Sequence, residues 1–293
     1  MDGPTNETET YKSTARIIKE QAALCGRSKF LVAIAGAPGS GKSTIAGEIV
    51  KRINSEASDC TNRGIVSSLG EGSNKGKPHL YNSTAAPIQS SQGIGAIAVS
   101  VGMDGFHYPR SHLDAMPNRE QAYRRRGAPW TFDVDALLIF VRQLRQWADG
   151  ESCISDATSS TLREASCAID EGRNQPRPQL TAPSFSHAIK DPVPDAISIF
   201  ASTTIVILEG NYLLLDEDKW RDISALVDFR IFVDVDFQLA RMRVARRHVQ
   251  AGIEASLEGA LGRFDGNDLV NGRLVQERLC RDAVDLVVVS KDH

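Results

Sequence analysis

Residues 29–44 read KFLVAIAGAPGSGKST, an apolar run that feeds directly into Gly36-Ala37-Pro38-Gly39-Ser40-Gly41-Lys42-Ser43-Thr44. The segment has the G-x-x-x-x-G-K-[ST] spacing of a phosphate-binding loop in the setting that motif requires, a strand before it and the amphipathic TIAGEIVKRI helix after it. A triphosphate tail must be held by many donors at once, and glycines let main-chain N–H groups curl around it without side-chain obstruction. Lys42 supplies a mobile positive charge and Ser43 a hydroxyl for a magnesium ion, while the helix that starts here points the positive end of its dipole at the anion.

The chain has 293 residues and a net charge of −3. That length suits one large α/β domain, and the charge leaves no global basic field to gather nucleic acid or an anionic membrane. A small molecule is the expected partner. The five cysteines, Cys25, Cys60, Cys153, Cys167 and Cys280, lack C-x-x-C spacing, which fits a reducing compartment better than a disulfide framework. The opening MDGPTNETETYKSTA is polar and acidic, and no stretch of about 18 apolar residues is available to span a bilayer. A soluble, cytoplasmic protein is the expectation.

Residues 9–25 carry Ile17, Ile18, Ala22 and Leu24 among charges, a helical pattern that Gly26 is placed to end. The helix after the phosphate loop is expected to reach about Asn54. From 55 to 93 the composition turns to Ser, Asn, Gly, Thr and Gln, too poor in large apolar residues to offset the entropy of ordering, and predicts a disordered insertion. IGAIAVSV, residues 94–101, reads as a strand ending in Met103-Asp104-Gly105-Phe106-His107-Tyr108. Residues 133–147 place Val134, Leu137, Leu138, Val141, Leu144 and Trp147 at helical spacing behind Asp133 as cap. Residues 148–182 read as a second disordered insertion. TTIVIL (203–208), RIFVDVD (230–236) and the late LVVVS supply further strands, with the basic helix DFQLARMRVARRHVQAG among them. Strands separated by helices predict a mostly parallel sheet with helices on both faces, in one domain over 1–293.

Phosphoryl transfer requires positioning, magnesium, charge neutralisation and a group that accepts the proton of the attacking hydroxyl. Asp104 lies just past the carboxyl end of a strand, where open parallel sheets bind ligands, and is placed to be that base; otherwise it caps a turn beside Gly105. Glu209, delivered by an apolar strand, is a candidate magnesium ligand, its alternative being a solvated loop charge. Arg241, Arg243, Arg246 and Arg247 with His248 load one helix with charge suited to a transferring phosphoryl group, or else form a solvated basic face.

Taken in order, GAPGSGKST, MDGFHYPR, RRRGAPWTFD, FSHAIKD, VILEGNYLL and LARMRVARR resemble the phosphoribulokinase/uridine kinase family of P-loop kinases, which also includes the bacterial-type pantothenate kinases. The matching segments cover about 29–54, 94–147 and 183–250. The resemblance implies a P-loop NTPase fold, Asp104 as catalytic base, and a lid helix on which Arg243, Arg246 and Arg247 close over the phosphates. FSHAIKD is similar to the Tyr-Ser-His element of pantothenate kinases, which makes His187 a substrate contact, with Tyr108, Arg110 and Arg126 as further lining candidates. Phe185 stands where those kinases carry Tyr, and Trp130 and Phe132 also depart from their motif, so the substrate pocket is expected to be rebuilt. Asn267, Asp268 and Asn271 either approach the adenine or close a turn.

These readings predict an enzyme, a Mg-ATP-dependent kinase acting on a hydroxyl of a small metabolite: a nucleoside, a pantothenate-like compound or a sugar. Its catalytic residues are Asp104, Lys42, Arg246 and Arg247. Its cofactors are ATP, held by residues 36–44 with Arg243, and Mg2+, held by Ser43 and Glu209. A homodimer is compatible with the chain. A regulatory GTPase would need N-K-x-D, whereas Asn74-Lys75 continues as Gly76-Lys77. A catalytically weak ATP-binding regulatory or interaction protein is the remaining alternative, and it would have no use for a base such as Asp104.

Overall fold

The computed structural model describes residues 6–66, 95–150, 169–170 and 175–291. Helix α1 (Asn6–Cys25) precedes β1 (Phe30–Gly36), and Gly26, at φ +68°, is the left-handed residue that ends α1. After the phosphate loop come α2 (Lys42–Val66), β2 (Ala98–Gly102), the short helices α3 (Arg110–Ala115) and α4 (Arg119–Arg124), and α5 (Val134–Ala148). A two-residue pair, β3 (Ile169–Asp170) and β4 (Gln175–Pro176), leads to the antiparallel hairpin β5 (Leu180–Ser186) and β6 (Asp191–Ile199). The chain continues through β7 (Ile205–Gly210), α6 (Trp220–Ala225), β8 (Phe229–Val235), α7 (Phe237–Gln250), α8 (Leu257–Arg263), α9 (Leu269–Glu277) and β9 (Leu286–Ser290).

Five strands form the main sheet in the order β2-β7-β1-β8-β9, every pair parallel. β1 is central and buried along its whole length, which is why it reads as an unbroken apolar run rather than an alternating one. Its residues nevertheless alternate between two cores. Leu31, Ala33 and Ala35 pack with Leu137, Val141 and Leu144 of α5, while Val32 and Ile34 pack with Ile18 of α1 and Ile45, Ile49 and Ile53 of α2. The Asp133 carboxylate caps α5 by accepting from Ala136 N at 2.9 Å.

Three local expectations give way. α2 does not stop near Asn54 but continues to Val66. Asn54 faces the sheet instead: its Nδ2 donates to Ala98 O at 2.9 Å and its Oδ1 accepts from Ile97 N and Ala98 N, fastening the helix to the start of β2. Residues 55–66 of the first expected insertion are thus helical; its residues 67–93, and residues 151–168 and 171–174 of the second, lie outside the described residues. Residues 180–182 belong to β5. Third, the β5–β6 hairpin replaces an unassigned stretch; Pro183, Pro192 and Pro194 obscure it, because proline weakens any strand reading and is tolerated in this isolated two-stranded sheet. Among the described residues no helix is long and apolar enough to cross a membrane.

Candidate active site

The phosphate loop links β1 to α2 through Gly39 and Gly41, whose φ values of +81° and +84° are open to glycine and costly for other residues. A Cβ on Gly39 would also lie 2.8 Å from Ala240 O, so α7 packs directly on the loop. Lys42 and Ser43 occupy the first turn of α2. Burial pushes the Lys42 ammonium below its ordinary pKa; Glu209, Asp104 and Asp268 oppose that shift, and Arg247 adds to it.

Asp104 sits on a single 3-10 turn, Met103–Phe106, immediately past β2, with its side chain 53% exposed. Two features fix that turn. His107 Nδ1 lies 2.9 Å from Asp104 O, and its ring packs at 3.9 Å from Phe132 and 5.1 Å from Phe185. A Cβ on Gly105 would fall 2.3 Å from Pro183 O, so the hairpin backbone rests on the turn. Glu209 occupies the neighbouring strand end, paired in register with Gly102 on one side and Ile34 on the other. Its Oε2 accepts from Ser43 Oγ at 2.9 Å. Burial raises the Glu209 pKa, Lys42 lowers it, Asp104 raises it further, and the Ser43 bond lowers it. Ser43 and Glu209 thus present hard oxygen donors side by side at the phosphate loop, which fits a magnesium ion. Among the described residues no group of three His, Cys, Asp or Glu could hold a metal unaided, so phosphate and water oxygens would complete its shell.

The arginines of α7 divide. Arg243 donates to Ser290 Oγ at 2.7 Å and Lys291 O at 2.6 Å, and with Gly41, Thr44 and α1 it borders a cavity of about 460 Å³. Arg241 turns away into a bidentate pair with Asp265. Arg246 and Arg247 are exposed, and Arg247 lies in electrostatic range of Lys42 and Asp268.

On the opposite side, Arg126 donates to Lys190 O (2.6 Å), Tyr108 O (3.1 Å) and Asp191 Oδ1 (3.1 Å), with Phe185 under its guanidinium. It ties the hairpin to the Asp104 segment. Tyr108 stacks on His112 at 4.1 Å, and Arg110 is exposed, its main-chain N–H donating to Asp191 Oδ1. His187 is exposed just after β5, its ring edge-on to Phe185 at 5.4 Å and in electrostatic range of His107. Asn267 and Asp268 lie on one π-type turn, Phe264–Asp268, between α8 and α9, and Asn271 lies on α9. Arg125, which the sequence did not single out, bonds Gly266 O, Asn267 O and Asn271 Oδ1. Tyr212 and Asn211, just past β7, were also missed as site residues; their one signal was position directly after Glu209-Gly210.

No protein-family model matches the sequence. The chain is 31% identical over 281 residues to a Schizosaccharomyces pombe protein named "Putative uridine kinase", covering 95% of this chain and 90% of that one. It is 31% identical over 316 residues to ATP-dependent kinase YFH7 of Kluyveromyces lactis, covering 86% and 89%. The crystal structure of YFH7 from Saccharomyces cerevisiae matches with a TM-score of 0.66 at 27% identity, over 97% of this chain and 99% of that one.

Proposed function

Because this chain belongs to the uridine kinase-like family of P-loop kinases, we propose that it transfers the γ-phosphoryl group of Mg-ATP to a hydroxyl of a small metabolite. The observation that carries this reading is the placement of Asp104 and Glu209 at adjacent strand ends within electrostatic reach of Lys42. A binding module needs the loop alone; a half-exposed carboxylate just past β2 and in electrostatic range of Lys42 has a use in accepting a proton.

Asp104 accepts the proton of the acceptor hydroxyl as its oxygen bonds to the γ-phosphorus and the bond to the β-phosphate oxygen breaks, leaving ADP. Lys42, held at low hydration, balances the charge on the phosphates, and Arg246 and Arg247 reach them from the exposed face of α7. Arg243 borders the cavity beside Thr44 and contributes to nucleotide binding. Ser43 and Glu209 would hold magnesium, which when bound neutralises the β- and γ-oxygens. His187, Tyr108, Arg110 and the hairpin that Arg126 secures form the acceptor side. The net charge of −3 favours a small-molecule acceptor over nucleic acid. The test is ADP release by the purified protein with Mg-ATP and a panel of hydroxyl acceptors: release that depends on an acceptor supports the reading, and tight ATP binding with no acceptor-dependent release would replace it with the binding module.

A further inference from the structure

β9 closes one end of the main sheet. β8 pairs with it on one side, and among the described residues no strand pairs with the other. At the opposite end of the sheet, β5 of the hairpin packs against β2. The free edge reads Leu286-Val287-Val288-Val289-Ser290 and runs in unbroken register with β8. It has no charge, proline or bulge, the devices by which folded proteins keep a bare edge from pairing. Its side chains divide by face. Val288 is buried in the core beneath α1 and α2, whereas Val287 and Val289, on the other face, are 55% and 57% exposed. A parallel sheet is ordinarily covered on both faces, and these two valines are not. On the α1 side, the cavity that Gly41, Thr44 and Arg243 border continues along Leu286–Ser290 and separates the strand from the helix.

The two ends of the strand carry opposite charges. Asp285 precedes it, its Oδ2 accepting from Arg230 N at 2.7 Å and Nη1 at 3.3 Å while the side chain stays 37% exposed. Lys291 follows it and is exposed; its carbonyl accepts from Arg243 Nη2 at 2.6 Å, which ends the free edge there. Two copies of one strand placed side by side by a twofold axis run antiparallel. With the axis at Val288, Asp285 of each copy faces Lys291 of the other, and Val287 of each faces Val289 of the other. Directly opposed side chains come within about 4.5–5.5 Å, so the exposed valines of both copies form one apolar patch between two ion pairs. Moving the axis to Val287 or Val289 loses the charge match, so the sequence singles out one register.

We propose that two copies of this chain associate through β9, antiparallel about Val288, to make one continuous sheet across the pair. The surface is self-complementary in hydrogen bonding, apolar contact and charge, and the pairing closes on itself because each copy has one such edge.

The experiment is sedimentation velocity of the purified full chain over a concentration series, repeated for Val287→Lys, Val289→Glu, their equimolar mixture and Lys291→Glu. A reversible equilibrium between one and two chains is expected for the unaltered protein. Each valine variant should raise the dimer dissociation constant about tenfold or more, because a charge replaces an apolar cross-strand contact. The mixture should recover the dimer, since this register sets the introduced lysine against the introduced glutamate. Lys291→Glu places two carboxylates opposite each other and should weaken the dimer about threefold or more, an effect that salt diminishes. Thermal unfolding unchanged from the unaltered protein shows that each variant is folded, and Lys291→Glu decides the matter if a valine variant is not. A protein that stays a single chain up to its solubility limit overturns the proposal. So does a dimer that all three substitutions leave unaltered, a mixture that associates no better than its components, or growth beyond two chains.

Discussion

Ser43 Oγ donates to Glu209 Oε2 across 2.9 Å, joining the first turn of α2 to the end of β7. The contact is made possible by Gly102 on the adjoining strand, where a Cβ would lie 2.9 Å from Glu209 Oε1. Burial acts on Glu209 and Lys42 in opposite senses, raising one pKa and lowering the other, and each partly counters the other's shift. Opposite charges are thus buried together at the phosphate loop.

Glu209→Gln keeps the shape of the side chain and removes its charge. Turnover should fall by about 10²–10³, the usual scale for losing one preorganised electrostatic group, and the magnesium concentration for half-maximal rate should rise. A magnesium titration of the rate checks this; an unaltered titration curve would remove Glu209 from the metal assignment.

Asp104→Asn removes the proton acceptor while the turn, secured by His107 and Gly105, persists. The rate with saturating acceptor should drop about 10²–10⁴-fold, with nucleotide affinity close to that of the unaltered protein. Isothermal titration with a non-hydrolysable ATP analogue separates the two effects.

Much of the fold was legible because its signals are local. Gly36 to Thr44 define a loop by spacing alone, Asp133 announces α5, TTIVIL leads into a strand that burial makes nearly uniformly apolar, and LVVVS is legible from its β-branched run although Val287 and Val289 are exposed on the edge strand. Asn54 misled because a polar residue before a polar stretch looks like a helix end, whereas its amide is spent on β2 forty-odd residues away, a long-range bond that no window reveals. The β5–β6 hairpin hid behind its prolines. At the site, Asp104 and Glu209 were readable as residues just past apolar strands. Arg125, Asn211 and Tyr212 were not, since their roles depend on which carbonyls the fold brings beside them.

His107 carries a pH prediction. Burial lowers its pKa from the ordinary value of 6.5; Asp104 pulls it back up, and Arg126 and His187 push it further down. The unfolded chain therefore takes up this proton at a higher pH than the folded one, so stability is held above the ordinary histidine range and lost as pH falls through it. His248, buried beside Arg263 and Arg247, shifts in the same direction. Thermal unfolding should show Tm declining from about pH 7.5 to 5.5, around the ordinary histidine pKa, and His107→Gln should flatten part of that decline, His248→Gln another part. A slope identical in all three proteins would contradict the assignment.

Asp228 gives a stability prediction remote from the chemistry. Just before β8, with its side chain 8% exposed, it accepts from Leu31 N at 2.8 Å and pairs with Arg27 at 2.7 Å and Arg145 at 3.0 Å. Asp228→Ala strands a half-buried guanidinium and a strand N–H, and should cost about 3–5 kcal/mol in urea unfolding. Activity per folded molecule should persist, because Asp228 lies at the sheet edge opposite Asp104.

The central claim, that Asp104 drives transfer of phosphoryl to an acceptor hydroxyl, is tested most directly by single-turnover transfer of labelled γ-phosphate to acceptor, comparing the unaltered protein with Asp104→Asn. Label should appear on the acceptor in the first and be slowed at least about a hundredfold in the second. Equal transfer by both proteins, or label that stays on ATP with every acceptor, would contradict it.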